Sequence, residues 1–191
     1  RDALRECAVK NMMSLSFFSD VDSLVEAGDD FAGFVSLGPA TIASEDLERL
    51  HEALAHGVFI DINPAPTLFH SVRPDLQQTV IEAIYALREQ GRERIAFIGG
   101  DGHMMGSHVF ARDPRTFAFD EWARLLGMPT DGYVYASGPF TVDNGRDQAE
   151  ALLDAHAEAM PDAILVAADP LAVGVIQALV ARGVRIPEEV A

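Results

Sequence analysis

Cysteine is all but missing from the 191 residues: Cys7 stands alone, so the chain can close no internal disulfide and build no thiolate metal cage. That suits a reducing cytoplasm. Positive charge is scarce too. Lysine and arginine total 14 against 30 aspartates and glutamates, a formal net charge of -16. A surface this acidic repels phosphate backbones unless a separate basic module accompanies it. Long apolar runs are lacking as well. Uncharged stretches such as Ala163 to Ala168 or Gly132 to Val142 fall well short of the roughly 20 residues that a membrane helix needs. No signal-peptide pattern opens the chain. Arg1 to Cys7 is charged and reads as the middle of an amphipathic helix, so the expected natural start lies upstream.

What is present describes a globular protein. Hydrophobic residues make up 49% and charged residues 23%, which is ordinary usage for a packed domain. The length fits one large domain or two small ones. Leu4, Cys7 and Ala8 share a helical face, and Met13 to Phe18 follows as an expected strand, so a helix and a strand open the chain and the strand before them is expected to be missing. Strands are then predicted at Phe31 to Leu37, Val58 to Ile62, Arg94 to Ile98, Tyr133 to Ala136 and Ala163 to Val166. Helices alternate with them at residues 44–55, 75–90, 115–126, 144–155 and 170–182. This rhythm predicts an α/β fold of parallel sheets flanked by helices. Leu76, Val80, Ile84 and Leu87 line one face of the 75–90 helix, and Gly91 stands where a left-handed cap belongs. Asp169 as N-cap, Pro170 at the first position and Gly183 after the end bracket the last helix. A boundary near Gly91 divides the chain into residues 1–91 and 92–191.

Catalytic signatures are absent. No nucleophile elbow, no Cys–His pairing and no spacing that forces two carboxylates together occurs. His103 and His108 lie in or beside the glycine-rich run Gly99 to Gly106, which superficially suggests a phosphate loop or a metal site. No Walker lysine follows it and the histidine spacing fits no metal motif. No enzyme activity, metal or cofactor is expected.

Four segments in order resemble the lactose-repressor/galactose-repressor family. They are Ser71-Val-Arg-Pro-Asp75 leading to Gly91-Arg-Glu-Arg-Ile-Ala-Phe-Ile-Gly-Gly100; Asp113-Pro-Arg115 with Phe119; Ser137-Gly-Pro-Phe-Thr141 with Gly145; and Pro161 to Gly174, running on to Gly183-Val-Arg-Ile-Pro-Glu-Glu-Val-Ala191. The first 57 residues match in rhythm only. Arg92 stands where the family usually has histidine, Ala118 where it has glycine and Ala168 where it has asparagine. The resemblance implies a two-lobed fold like the periplasmic sugar-binding proteins, residues 1–91 forming one lobe and 92–191 the other. It also implies a small-molecule effector held between the lobes, and a helix-turn-helix head, preceding the core, that supplies the missing basic charge.

Four residues at strand-to-helix junctions, where ligands collect in open parallel sheets, are the candidate effector contacts. Arg115 offers a planar fork of donors suited to neighbouring sugar hydroxyls; the alternative is a surface ion pair with Asp113. Asp169 could accept from ligand hydroxyls or simply cap its helix. Asp75, in a first helical turn, is favoured there by the helix dipole with or without ligand. Phe140 could stack on the apolar face of a sugar or fill the core. The leading expectation is the sugar-sensing, homodimeric core of a cytoplasmic transcriptional repressor, binding operator DNA through its head. An exported sugar-binding protein of the same fold is the alternative, and a doubly wound enzyme the third.

Overall fold

The computed structural model describes residues 2–37, 42–61, 63–101 and 113–191, and the chain divides into two compact units, Arg1–Pro74 and Asp75–Ala191.

In the first unit come α1 (Asp2–Lys10), α2 (Val21–Glu26), a 3-10 turn (Gly28–Asp30), β1 (Phe34–Leu37), α3 (Ser44–Ala53), β2 (Gly57–Ile60) and β3 (His70–Val72). The sheet runs β1-β2-β3, all parallel, with Leu37 beside Ile60 and Ile60 beside Val72. Alternation sends Phe34 and Phe59 to one face, where they meet Leu47, Leu50, Leu54 and Phe69. The rings of Phe34 and Phe69 meet edge to face, centroids 5.2 Å apart. Each fully buried side chain of this kind contributes about 1.5–3 kcal/mol. Of the expected α1 face, Ala8 is buried, Leu4 is half-buried and Cys7 is exposed.

Met13 to Phe18 corrects the sequence reading, because the segment is not a strand. Apolar alternation makes a strand only where a neighbour takes its backbone hydrogen bonds, and β1 to β3 pair among themselves. Met13, Leu15 and Phe17 stay exposed. Strand β3 went unforeseen because His70-Ser71-Val72 is short, polar and exposed throughout.

The second unit holds α4 (Leu76–Glu89), β4 (Ile95–Gly99), α5 (Pro114–Leu125), β5 (Val134–Ala136), α6 (Val142–Ala155), β6 (Ala163–Val166) and α7 (Asp169–Ala181). Its parallel sheet has the order β5-β4-β6. Every residue of β4 is buried, as a central parallel strand covered on both faces requires. Ile95 and Phe97 pack with Ile84, Phe119 and Ala123 on one face, and Ala96 and Ile98 with Leu152, Val175 and Leu179 on the other. The chain is thus an α/β protein, and this sheet is doubly wound, with helices packed on both its faces.

Local chemistry sets the ends of these elements. Gly91, at φ +83°, closes α4 while Arg92 N–H donates back to the Leu87 carbonyl at 3.0 Å, a left-handed cap that a side chain would strain. Asp162 accepts from the amides of Glu93 and Arg94 and so fixes where β4 begins. By contacts α4 falls with the second unit, whereas the lobe assignment drawn from the resemblance places it in the first. That assignment stays a proposal. Helices α6 and α7 cross at Gly145 and Gly174. A methyl group at Gly145 would strike the Leu171 backbone, and one at Gly174 the Val142 carbonyl and the Arg146 amide.

Candidate functional site

The order β5-β4-β6 puts the two neighbours of β4 on opposite sides, which makes the carboxyl end of β4 the point where an α/β sheet opens a crevice. Helix α5 begins after β4, α6 after β5 and α7 after β6. Arg115, Phe140 and Asp169 therefore come from three successive strand-to-helix junctions at one edge of one sheet.

Arg115 is held from two directions. Its Nε and Nη2 donate to the two oxygens of Asp113 at 2.9 and 2.7 Å, and its Nη1 donates to the Ala167 carbonyl at 2.6 Å. A guanidinium carries five N–H donors. Among the described residues, one hydrogen on each terminal nitrogen is left for another acceptor. Asp113 is itself the N-cap of α5, accepting from the Arg115 amide. The expected ion pair exists, but it is no surface pair: the side chains are 21% and 8% exposed. Burial pushes the Asp113 carboxyl up; hydrogen bonds from the Arg115 side chain and amide, the Arg115 charge and the Thr116 amide outweigh it and hold the group below its ordinary range. Hydrogen bonding to Asp113 raises Arg115 despite burial. Both stay charged.

The Phe140 ring lies over this fixed cation, 5.0 Å from the guanidinium carbon to the ring centroid. It is half-buried rather than a core residue. Its loop is tied down throughout. Asn144 Nδ2 donates to the carbonyls of Ser137 and Pro139 at 2.8 and 2.7 Å, Gly138 N–H donates to Asp101 at 2.9 Å, and Gln148 Nε2 reaches the carbonyls of Gly99 and Ser137 at 2.9 and 3.2 Å.

Asp169 occupies the first position of α7, not the cap. The cap is Ala168, which makes no side-chain hydrogen bond. The reason is one of register: the extended residue before the helix is Ala168, so the aspartate already lies inside the first turn. Its carboxylate is exposed and makes no hydrogen bond among the described residues. Ala167, whose carbonyl Arg115 grips, lies two positions before it. Asp75 is the N-cap of α4 and accepts from Gln78 N–H at 3.0 Å. The structure joins Arg115 to Phe140 and sets Asp169 beside the carbonyl that Arg115 holds; it brings Asp75 into contact with none of them among the described residues. His103 and His108 lie outside the described residues.

Sequence reasoning missed the supports: Asp113 as a buried anchor, and Asn144, Gln148 and Asp101 around the Phe140 loop. Asn144 and Gln148 sit four apart on α6 and face the same loop. That spacing was the one available signal.

No helix among the described residues is long and apolar enough to cross a membrane, and no group of three or more His, Cys, Asp or Glu is placed to hold a metal. Residues 84–191 match the family described as periplasmic binding protein-like domain. The chain is 35% identical over 189 residues to the HTH-type transcriptional regulator LacR of Lactobacillus helveticus, covering 99% of this chain and 56% of the relative. In fold it resembles a LacI family transcriptional regulator from Arthrobacter sp. FB24 in complex with lactose, with TM-score 0.73, 21% identity and coverage of 97% and 67%. It also resembles the lac repressor dimer bound to operator and the anti-inducer ONPF, with TM-score 0.70, 18% identity and coverage of 100% and 57%. The chain spans little more than half the length of the LacR relative.

Proposed function

Because the chain belongs to the lactose-repressor/galactose-repressor family and carries its periplasmic-binding-protein-like domain, we propose that it is the sugar-sensing core of a cytoplasmic transcriptional repressor. Sugar binding would control an operator-binding head. The observation that carries this reading is the Phe140 ring over a guanidinium that is already oriented by Asp113 and Ala167. A sugar presents an apolar ring face to an aromatic and adjacent hydroxyls to a donor fork. The two Arg115 hydrogens that no described residue takes suit neighbouring hydroxyl oxygens, and the Asp169 carboxylate, without a hydrogen bond among the described residues, would accept from a third hydroxyl. Asp75, capped on its own helix, is the least supported of the four contacts.

Such a ligand acts on DNA binding only by favouring one of two arrangements of the protein over the other. The reading therefore requires differential affinity as well as binding. Calorimetric titration of the full chain with lactose, galactose, glucose and sucrose tests it. Saturable binding of at least one, clearly weakened but still measurable in Phe140→Ala, supports the reading; no heat with any of the four counts against it. The second reading, an exported sugar-binding protein, uses the same cleft chemistry. A signal peptide rather than a helix-turn-helix in the coding sequence upstream of residue 1 would favour it. The likeness to regulators with helix-turn-helix heads supports the repressor.

A further inference from the structure

The geometry points to Gln148 as a positioning residue that sets the height of the Phe140 ring over Arg115, and so tunes effector affinity without touching the effector. The inference rests on Phe140 and Arg115 being ligand contacts. Gln148 is polar yet only 7% exposed. Its Nε2 spends both hydrogens on the Gly99 and Ser137 carbonyls, while its Oε1 is buried with no partner among the described residues. Packing does not explain this. A methionine would fill the same volume without stranding an acceptor, and a buried unpaired acceptor is destabilising.

The two carbonyls that Gln148 joins explain it better. Gly99 ends β4, Ser137 is the first residue beyond β5, and the ladder between the strands stops at Gly99 and Ala136. Two residues beyond that point Asp101 and Gly138 join the chains again, the Asp101 N–H donating to the Gly138 carbonyl at 2.8 Å and the Asp101 carboxylate accepting from the Gly138 N–H, which leaves the step between the ladder's end and that pair to be held by side chains. Gln148 bridges them there, and three residues later Phe140 stacks on Arg115. Asn144 and Asp101 hold the same loop from its other sides, and the Phe140 ring edge lies against Gly100, where an added methyl would come within 3.1 Å of it. The ring is thus located by a shell of hydrogen bonds before any ligand arrives. Prior ordering of this kind raises affinity by removing an entropy cost from binding.

The test is a double-mutant cycle on the full chain, read by calorimetric titration with lactose, and with galactose, glucose and sucrose if lactose gives no heat. Gln148→Met should weaken binding about tenfold, an order of magnitude within the range of energies by which residues of one hydrogen-bond network couple. In a Phe140→Ala background the same change should weaken it less than about twofold, because coupled residues are not additive. Asn144→Ala is the second variant, should Gln148→Met fail to fold, and has the same expected pattern. Equal losses in both backgrounds, or no loss in either variant, overturn the inference and leave the site reading standing. If Phe140→Ala itself binds as well as the parent chain, or no sugar binds at all, the site reading falls and takes the inference with it.

Discussion

At the scale of single residues, Arg115 and Asp113 cannot be separated. Arg115→Ala should cost about 2–5 kcal/mol of sugar affinity, the range for removing one partner of a buried charged set, which is at least about a thirtyfold loss. It should also lower the urea midpoint of the free protein. Asp113, 8% exposed, would be left with backbone donors alone, a penalty of about 1–3 kcal/mol. Affinity and stability measured side by side check both halves. Asp113 also predicts a pH dependence. Its carboxyl titrates below the ordinary value of 3.8 in the folded chain, so the ionised form adds stability that is complete above that value and is lost as pH falls through the folded pKa. Urea unfolding between about pH 5 and 2 should show a flatter acid limb for Asp113→Asn than for the parent; identical limbs would mean that the pair adds nothing. The residue types at the site were legible because strand-to-helix junctions could be placed. Their partners were not, since a carbonyl such as that of Ala167 carries no sequence signature.

Among the elements, the alternation of strands and helices was readable wherever burial on both faces imposes it. Strand β6 falls where expected, and α4 lies within a residue of its forecast ends. Met13 to Phe18 failed for a reason that pattern alone cannot reveal: a strand is defined by its neighbour. The start of α7 was misread by one residue, with a useful consequence. Ala168, at φ −157° and ψ 150°, has the extended backbone of an N-cap but a side chain that cannot accept from the helix. Asparagine, which the family usually has there, is among the best caps. Ala168→Asn should therefore stabilise the chain by about 1 kcal/mol, seen as a higher urea midpoint with unchanged slope. An unchanged midpoint would show that the α7 amides are already satisfied by solvent.

For the molecule as a whole, charge decides what the chain can approach. With a net charge of -16, the 191 residues should give no sequence-specific shift of duplex DNA at physiological salt; a salt-sensitive specific complex would refute the assignment of DNA binding to a separate head. If the proposed heads bind a two-fold operator, they call for a homodimer, and sedimentation of the intact protein at micromolar concentration checks it, a monomer alone counting against the proposal. The crossing of α6 and α7 has a mechanical consequence. With each glycine pressed against the other helix's backbone, the two helices cannot slide past one another, since packed interiors do not deform continuously. The junction bearing Phe140 and the junction bearing Asp169 therefore travel as one rigid body, like two jaws cut from a single block, and any motion that the proposed sugar would drive must be absorbed at joints outside that block.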